Sequence, residues 1–222
     1  MIESVVIRNF KIFHTFGLAL NADLNIIVGD NEAGKSTLLE AISLALTRRL
    51  GGKPIEYELS PFLFNKRCAE VYCAGVKEGT NPQLPEILIE LYLKATAELE
   101  PLRGNNNTQK LDCVGVKLQI AFDEDYKEEY EKLLEAKPSK PVIPAEYYKV
   151  NWLSFAGNAI TARSLALTLF HIDATAIRLQ SGTDYYIQNI LSDALTAKEK
   201  VALAISYRSL KLKCSPKIGP VA

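Results

Sequence analysis

Residues Gly29, Asp30, Asn31, Glu32, Ala33, Gly34, Lys35 and Ser36 follow one another and satisfy G-x-x-x-x-G-K-[S/T] in full. Few short patterns restrict a fold so tightly. Several backbone N–H groups must converge on one phosphate, and glycines let the loop bend that far. A helix starting near Lys35 aims the positive end of its dipole at the same point. Lys35 adds a mobile charge for the β and γ phosphates, and the Ser36 hydroxyl can ligate Mg²⁺. The pattern arises by chance in roughly one chain in a hundred of this size. Its context decides the matter: an apolar run (24–28, "LNIIV") precedes it and a helical pattern follows.

The run 24–28 reads as a strand buried on both faces, after strands at 3–9 and 16–20. The helix from 35 to 49 carries Leu38, Leu39, Ile42, Ala45 and Leu46 on one stripe, with Gly51 and Gly52 ending it. Residues 53–85 hold Pro54, Pro61, Pro82 and Pro85 and read as irregular. "EILIELYL" (86–93) alternates as a half-buried strand, with Glu86 and Glu90 on the outer face. "GNNNTQ" (104–109) reads as a turn or mobile loop, and 116–122 as another strand. An acid-led surface helix begins near Asp123. "EYYKVNWLSF" (146–155) and "LALTLFHI" (165–172) are further strand candidates. The last third reads as helical, with Thr196 and Glu199 forming a capping box.

Lys plus Arg and Asp plus Glu number 26 each, so the basic excess of a free-standing nucleic-acid binder is missing. The four cysteines, Cys68, Cys73, Cys113 and Cys214, form no C-x-x-C pair, and the two histidines, His14 and His171, lie far apart. Thiols in a reducing cytoplasm are expected, without zinc or a disulfide framework. No apolar run reaches the length of a membrane span, and the N-terminus is not patterned as a signal peptide.

"SVVIRNFKIFHTFGLALNADLNIIVGDNEAGKSTLLEAISLAL" (4–46) resembles the opening of the ATPase heads of the structural-maintenance-of-chromosomes (SMC) and RecF group. Within that group, "KVNWLSF" (149–155) and "FHIDA…GTDYYIQNILSD" (170–193) are similar to the OLD (overcoming lysogenisation defect) family. The resemblance implies an α/β P-loop NTPase, an ABC-type head lobe with a mixed sheet and an antiparallel layer. It implies ATP and Mg²⁺ as ligands, and pairing of two heads around the nucleotides. In OLD proteins a C-terminal Toprim nuclease then cuts DNA, so DNA would be contacted only indirectly or by the full-length parent. By the same resemblance Arg8 and Asn9 flank the nucleotide beside Asn31, Glu32, Ala33, Gly34, Lys35, Ser36 and Thr37. Gln180, in "IRLQSGTDYY", would join Ser36 at the metal; a solvent-facing Gln before a helix is the alternative.

Other parts of such a head are not found. Asp173 follows an apolar run, but Ala174 stands where the hydrolytic Glu belongs. No L-S-G-G-Q-like signature or Toprim acid cluster is visible. The expectation is an N-terminal lobe over 1–213 with an unpatterned tail (214–222). It is expected to bind ATP, to carry no catalytic residue of its own, and to self-associate through uncovered apolar surface. Two alternatives stand beside it. One is a self-contained P-loop kinase or NTPase, although "NKRC" (65–68) fails the N-K-x-D guanine reader at Cys68. The other is a non-catalytic partner of a full-length homologue, with Arg208, Lys211, Lys213 and Lys217 as possible DNA contacts.

Overall fold

A computed structural model describes residues 1–80, 82–136, 141–161, 165, 167, 169 and 199. By its internal contacts the chain divides into Met1–Leu169 and Phe170–Ala222. The first unit is built on a six-stranded sheet. Its strands are β1 (Ile2–Phe10), β2 (Phe13–Ala19), β5 (Ile87–Leu93), β6 (Arg103–Gly104), β7 (Cys113–Phe122) and β8 (Tyr148–Ser154). The order is β2-β1-β5-β7, with β8 and the short β6 both pairing with β7. A separate ribbon joins β3 (Arg49–Leu50) to β4 (Lys53–Pro54). The helices are α1 (Lys35–Thr47), α2 (Lys66–Glu78) and α3 (Lys127–Glu135).

Alternation in the strands produces the core directly. Ile7, Ile89, Leu118 and Trp152 stand opposite one another across four strands, and Val5, Leu91 and Val116 form the next row. Such cross-strand neighbours are the unit of sheet stabilisation. Leu38, Ala41, Ile42, Leu44 and Ala45 of α1 are buried in the same cluster. The helix that opens at the glycine loop is thereby fixed to the sheet.

The pairings among the described strands are all antiparallel. The expected layer from 86–122 and 146–155 is present, and β1 and β2 extend it. Residues 24–28, expected as a buried strand, are not one. Leu24, Ile26 and Val28 are 71%, 77% and 83% exposed. A strand needs a ladder partner as well as apolar side chains, and both edges of β1 are already taken by β2 and β5.

Three further expectations change. The segment 53–85, expected to be irregular, contains α2. Asn65 caps it by accepting from the Arg67 N–H, and Gly79 closes it in the left-handed region. Pro61 and Pro82 flank this helix rather than interrupt it. α1 stops at Thr47, short of 49. Arg48 turns left-handed (φ 57°) there, and its N–H returns to the Leu44 carbonyl. Finally, β5 is buried at all seven positions instead of on one face. The Asn-rich loop closes its outer face: Thr108 donates to the Glu90 carboxylate through its N–H at 3.0 Å and its hydroxyl at 2.6 Å. Tyr92 donates to the same carboxylate at 3.0 Å, and Asn107 is buried with its Nδ2 on the Leu111 carbonyl. The segment 104–109, expected as a turn or a mobile loop, is a set of turns that clasps a buried carboxyl group, and that group is hydrogen-bonded, as burial requires. Most of 165–172, Gln180, Asp173, Thr196 and the basic tail lie outside the described residues.

Two predictions follow from this packing. A methyl group at Gly115 would lie 2.1 Å from the Phe155 ring and 2.6 Å from the Leu91 carbonyl oxygen. Gly115→Ala is expected to destabilise the protein by about 1–3 kcal/mol, read as a lower urea midpoint. Burial raises the hydroxyl pKa of Tyr72 and Tyr148, and pushes that of Tyr92 up to about 12. The folded chain therefore holds these protons more tightly than the unfolded chain, whose tyrosines titrate near 10. Their contribution is complete below pH ~10 and declines as pH rises from there, for Tyr92 through about 12. Urea midpoints are expected to fall steeply above pH ~10, and less steeply in Tyr92→Phe.

Candidate functional site

The glycine loop leads into α1 through Gly34, the residue before the first helical turn. Gly34 has φ 96°, left-handed space that a side chain resists. Space forbids a side chain as well: a Cβ there would lie 2.9 Å from the Phe13 ring and 3.0 Å from Ile12 Cγ2. Glu32 is also left-handed, at φ 66°. The Ala33 N–H turns back to the Asp30 carbonyl at 3.3 Å, and the helix ladder opens with Leu38 N–H to Gly34 O at 2.9 Å. No side chain caps α1 and no acid lies in its first turn. The positive end of the dipole and its unpaired N–H groups face the loop uncancelled.

Lys35 reaches back across this loop. Its ammonium donates to the carbonyls of Gly29 and Asp30, each at 2.6 Å. The ammonium is thus held on the backbone of the loop's first two residues. An open pocket of about 370 Å³ is lined by Ile12, Asn31, Glu32, Gly34, Lys35, Ser36 and Thr37. That volume lies within the range of small-molecule sites.

The loop residues of the expected site are therefore brought together, with Ala33 beside the lining. Ser36 is exposed at the pocket, so its hydroxyl is open to a phosphate-bound Mg²⁺. Arg8 and Asn9 do not line it. Arg8 is exposed on β1, between Thr15 and Leu88. Asn9 is left-handed (φ 55°) and donates from Nδ2 to the Glu86 carbonyl at 2.9 Å, while its Oδ1 is buried with no hydrogen-bond partner. Gln180 lies outside the described residues.

Three contributors escape sequence reasoning. Ile12 in the β1–β2 turn and Phe13 at the start of β2 form the apolar wall over Gly34. Glu40, on α1, pairs with Lys11 of that turn. An exposed Ile12 at a hairpin tip is the one available signal, because nothing local requires an apolar residue there.

Gly34→Ala tests this geometry without ligand. The left-handed conformation alone disfavours a side chain by about 1–2 kcal/mol, and the Phe13 contact adds to that. The expected outcome is a lower urea midpoint, with the sheet signal retained in circular dichroism.

Comparison with known proteins finds a family and several similar proteins. Residues 4–135 match the AAA domain family. Over 45 residues, 20% of this chain, the sequence is 47% identical to Structural maintenance of chromosomes protein 6 of Saccharomyces cerevisiae. Over 111 residues, 50% of this chain, it is 28% identical to the DNA replication and repair protein RecF of Aliivibrio fischeri. The matched parts span 4% and 29% of those two proteins. A solved chain, from work on ATP-driven dimerization and DNA-stimulated activation of SMC ATPases, aligns with 91% of this chain and 96% of its own length. The identity is 16% and the TM-score 0.35.

Proposed function

This chain belongs to the AAA domain family, with relatives of the SMC and RecF type, and from that premise we propose that it is an ATP-binding lobe that grips Mg²⁺-ATP through 29–36. The observation that carries this reading is the Lys35 ammonium held within the loop by two carbonyls. Phosphate oxygens can take over from those carbonyls, adding charge to the same contacts. The uncapped start of α1 supplies further N–H donors. Ser36 is the residue suited to Mg²⁺, with Gln180 as the second candidate by family resemblance; the ion would bridge two phosphates and offset their charge. Arg8 remains a candidate neighbour of the nucleotide on resemblance alone, and Asn9 has its side-chain amide committed to Glu86.

The small-kinase alternative expects an all-parallel sheet, which the antiparallel β1, β5 and β7 do not favour. The finer assignment to OLD-like proteins, in which such a lobe works with a Toprim DNA nuclease, rests on the likeness of 149–155 and 170–193. Pairing of two lobes around ATP is part of the same reading, since the relatives include RecF and an SMC protein. No hydrolytic Glu follows Asp173 in the sequence, so binding is expected to exceed turnover.

Calorimetric titration with Mg²⁺-ATP, followed by phosphate release on the same samples, tests the proposal. Saturable binding is expected, reduced at least tenfold in Lys35→Ala, with turnover near background. Equal binding by the Lys35→Ala protein would overturn the assignment of the grip. Robust turnover would overturn the picture of a lobe that binds without hydrolysing.

A further inference from the structure

The wall of the pocket depends on a residue far from it in sequence. Ile12 and Phe13 reach Gly34 from a hairpin connection in which Asn9 and Lys11 are both left-handed (φ 55° and 49°). The residues that hold it belong to the approach to α2. The Lys11 N–H donates to the Leu63 carbonyl at 2.8 Å, and the Asn65 N–H donates to the Asn9 carbonyl at 2.9 Å. Phe10 bridges to Phe64.

Asn65 completes the tie with its side chain. It is 6% exposed. Its Nδ2 donates to the Lys11 carbonyl at 2.8 Å, while its Oδ1 accepts from the Arg67 N–H at 3.0 Å. The orientation of this amide follows from its partners: a flip would set donor against donor and acceptor against acceptor. One side chain thus does two separable things. The oxygen caps α2, and the nitrogen anchors the turn that carries Ile12.

We propose that Asn65 is a positioning residue of the nucleotide site, fixing the β1–β2 turn so that Ile12 walls the pocket beside Gly34 and Lys35. This rests on the ATP-binding reading above. Asn65 touches no ligand. It acts through Lys11, the neighbour of Ile12, and the Lys11–Glu40 pair secures the other side of the turn against α1. The N-terminus of α2 and the phosphate-binding end of α1 are thereby joined through three residues of one hairpin. Loss of the Nδ2 bond leaves the turn on its backbone ties to Leu63 and Asn65 and on the Lys11–Glu40 pair, so Ile12 is held less firmly beside Gly34 and the pocket is less well formed for the nucleotide.

The test separates the two roles of Asn65 in the full chain. Asn65→Asp keeps an oxygen for the Arg67 N–H but turns a carboxylate oxygen toward the Lys11 carbonyl. Asn65→Ser keeps a capping hydroxyl that is too short to reach that carbonyl. Mg²⁺-ATP affinity is measured for both, for Ile12→Ala, and for the Ile12→Ala pairings with each. Amide hydrogen exchange over 10–13 and over α2 is read on the same proteins. Each Asn65 variant is expected to weaken Mg²⁺-ATP binding about three- to tenfold, the range of one lost buried hydrogen bond. Exchange should speed up over 10–13 while α2 keeps its protection. Each double variant should bind no more weakly than Ile12→Ala alone, since both changes remove the same wall. Wild-type affinity in the Asn65→Ser protein overturns the proposal and leaves the ATP-binding reading intact. Fully additive losses also overturn it, because Asn65 would then act by another route. Absence of Lys35-dependent binding in the wild-type protein removes the ATP-binding reading, and this proposal with it. Should Asn65→Asp fail to fold, Asn65→Ser alone decides.

Discussion

The indole nitrogen of Trp152 donates to the Ala45 carbonyl at 2.7 Å, in the buried core. That bond joins β8 to the last turn of α1, where carbonyls have no partner within the helix. The same helix buries Leu38, Ala41, Ile42, Leu44 and Ala45 in the cluster that contains Ile7, Ile89, Leu118 and Trp152. A phosphate grip works only if its helix cannot tilt, because several N–H groups must share one focus. Anchoring the far end of α1 to the sheet is therefore a condition on the near end.

Around this helix the chain spends its polar groups economically. Glu90, a carboxylate in the middle of a buried strand, is matched by Thr108 and Tyr92. Asn65 uses both ends of its amide. In each case a buried polar side chain from a distant strand or loop adds to the ties that a loop or turn makes for itself. Such single points of attachment make a structure specific, because every competing arrangement strands a donor or an acceptor.

This explains which parts were legible in the sequence. β1, β5, β7, β8 and α1 carry their periodicity in their own residues, and the loop 29–36 carries its chemistry in residue types. α2 was readable in principle, from the cap at Asn65 and the stripe Cys68, Ala69, Tyr72, Cys73 and Val76, but the surrounding prolines masked it. The run 24–28 misled for the opposite reason: its composition suits a strand, while strand formation depends on a neighbour that no local pattern reveals. The burial of Glu90 and the wall made by Ile12 depend on contacts 18 and 22 positions away, with Thr108 and Gly34. Nothing in either neighbourhood announces them.

The bonds from Lys35 to Gly29 and Asp30 have a consequence for how binding should be read. On the proposed ATP-binding reading, a phosphate entering the loop displaces two carbonyls before it gains the ammonium, so the event is an exchange of partners. The heat released should be smaller than a count of new contacts suggests, because bonds broken offset bonds made. The lysine is also part of what holds the loop in shape. Replacing it removes an internal strut as well as a charge, and the loop that results is a different receptor for anions, not merely a weaker one.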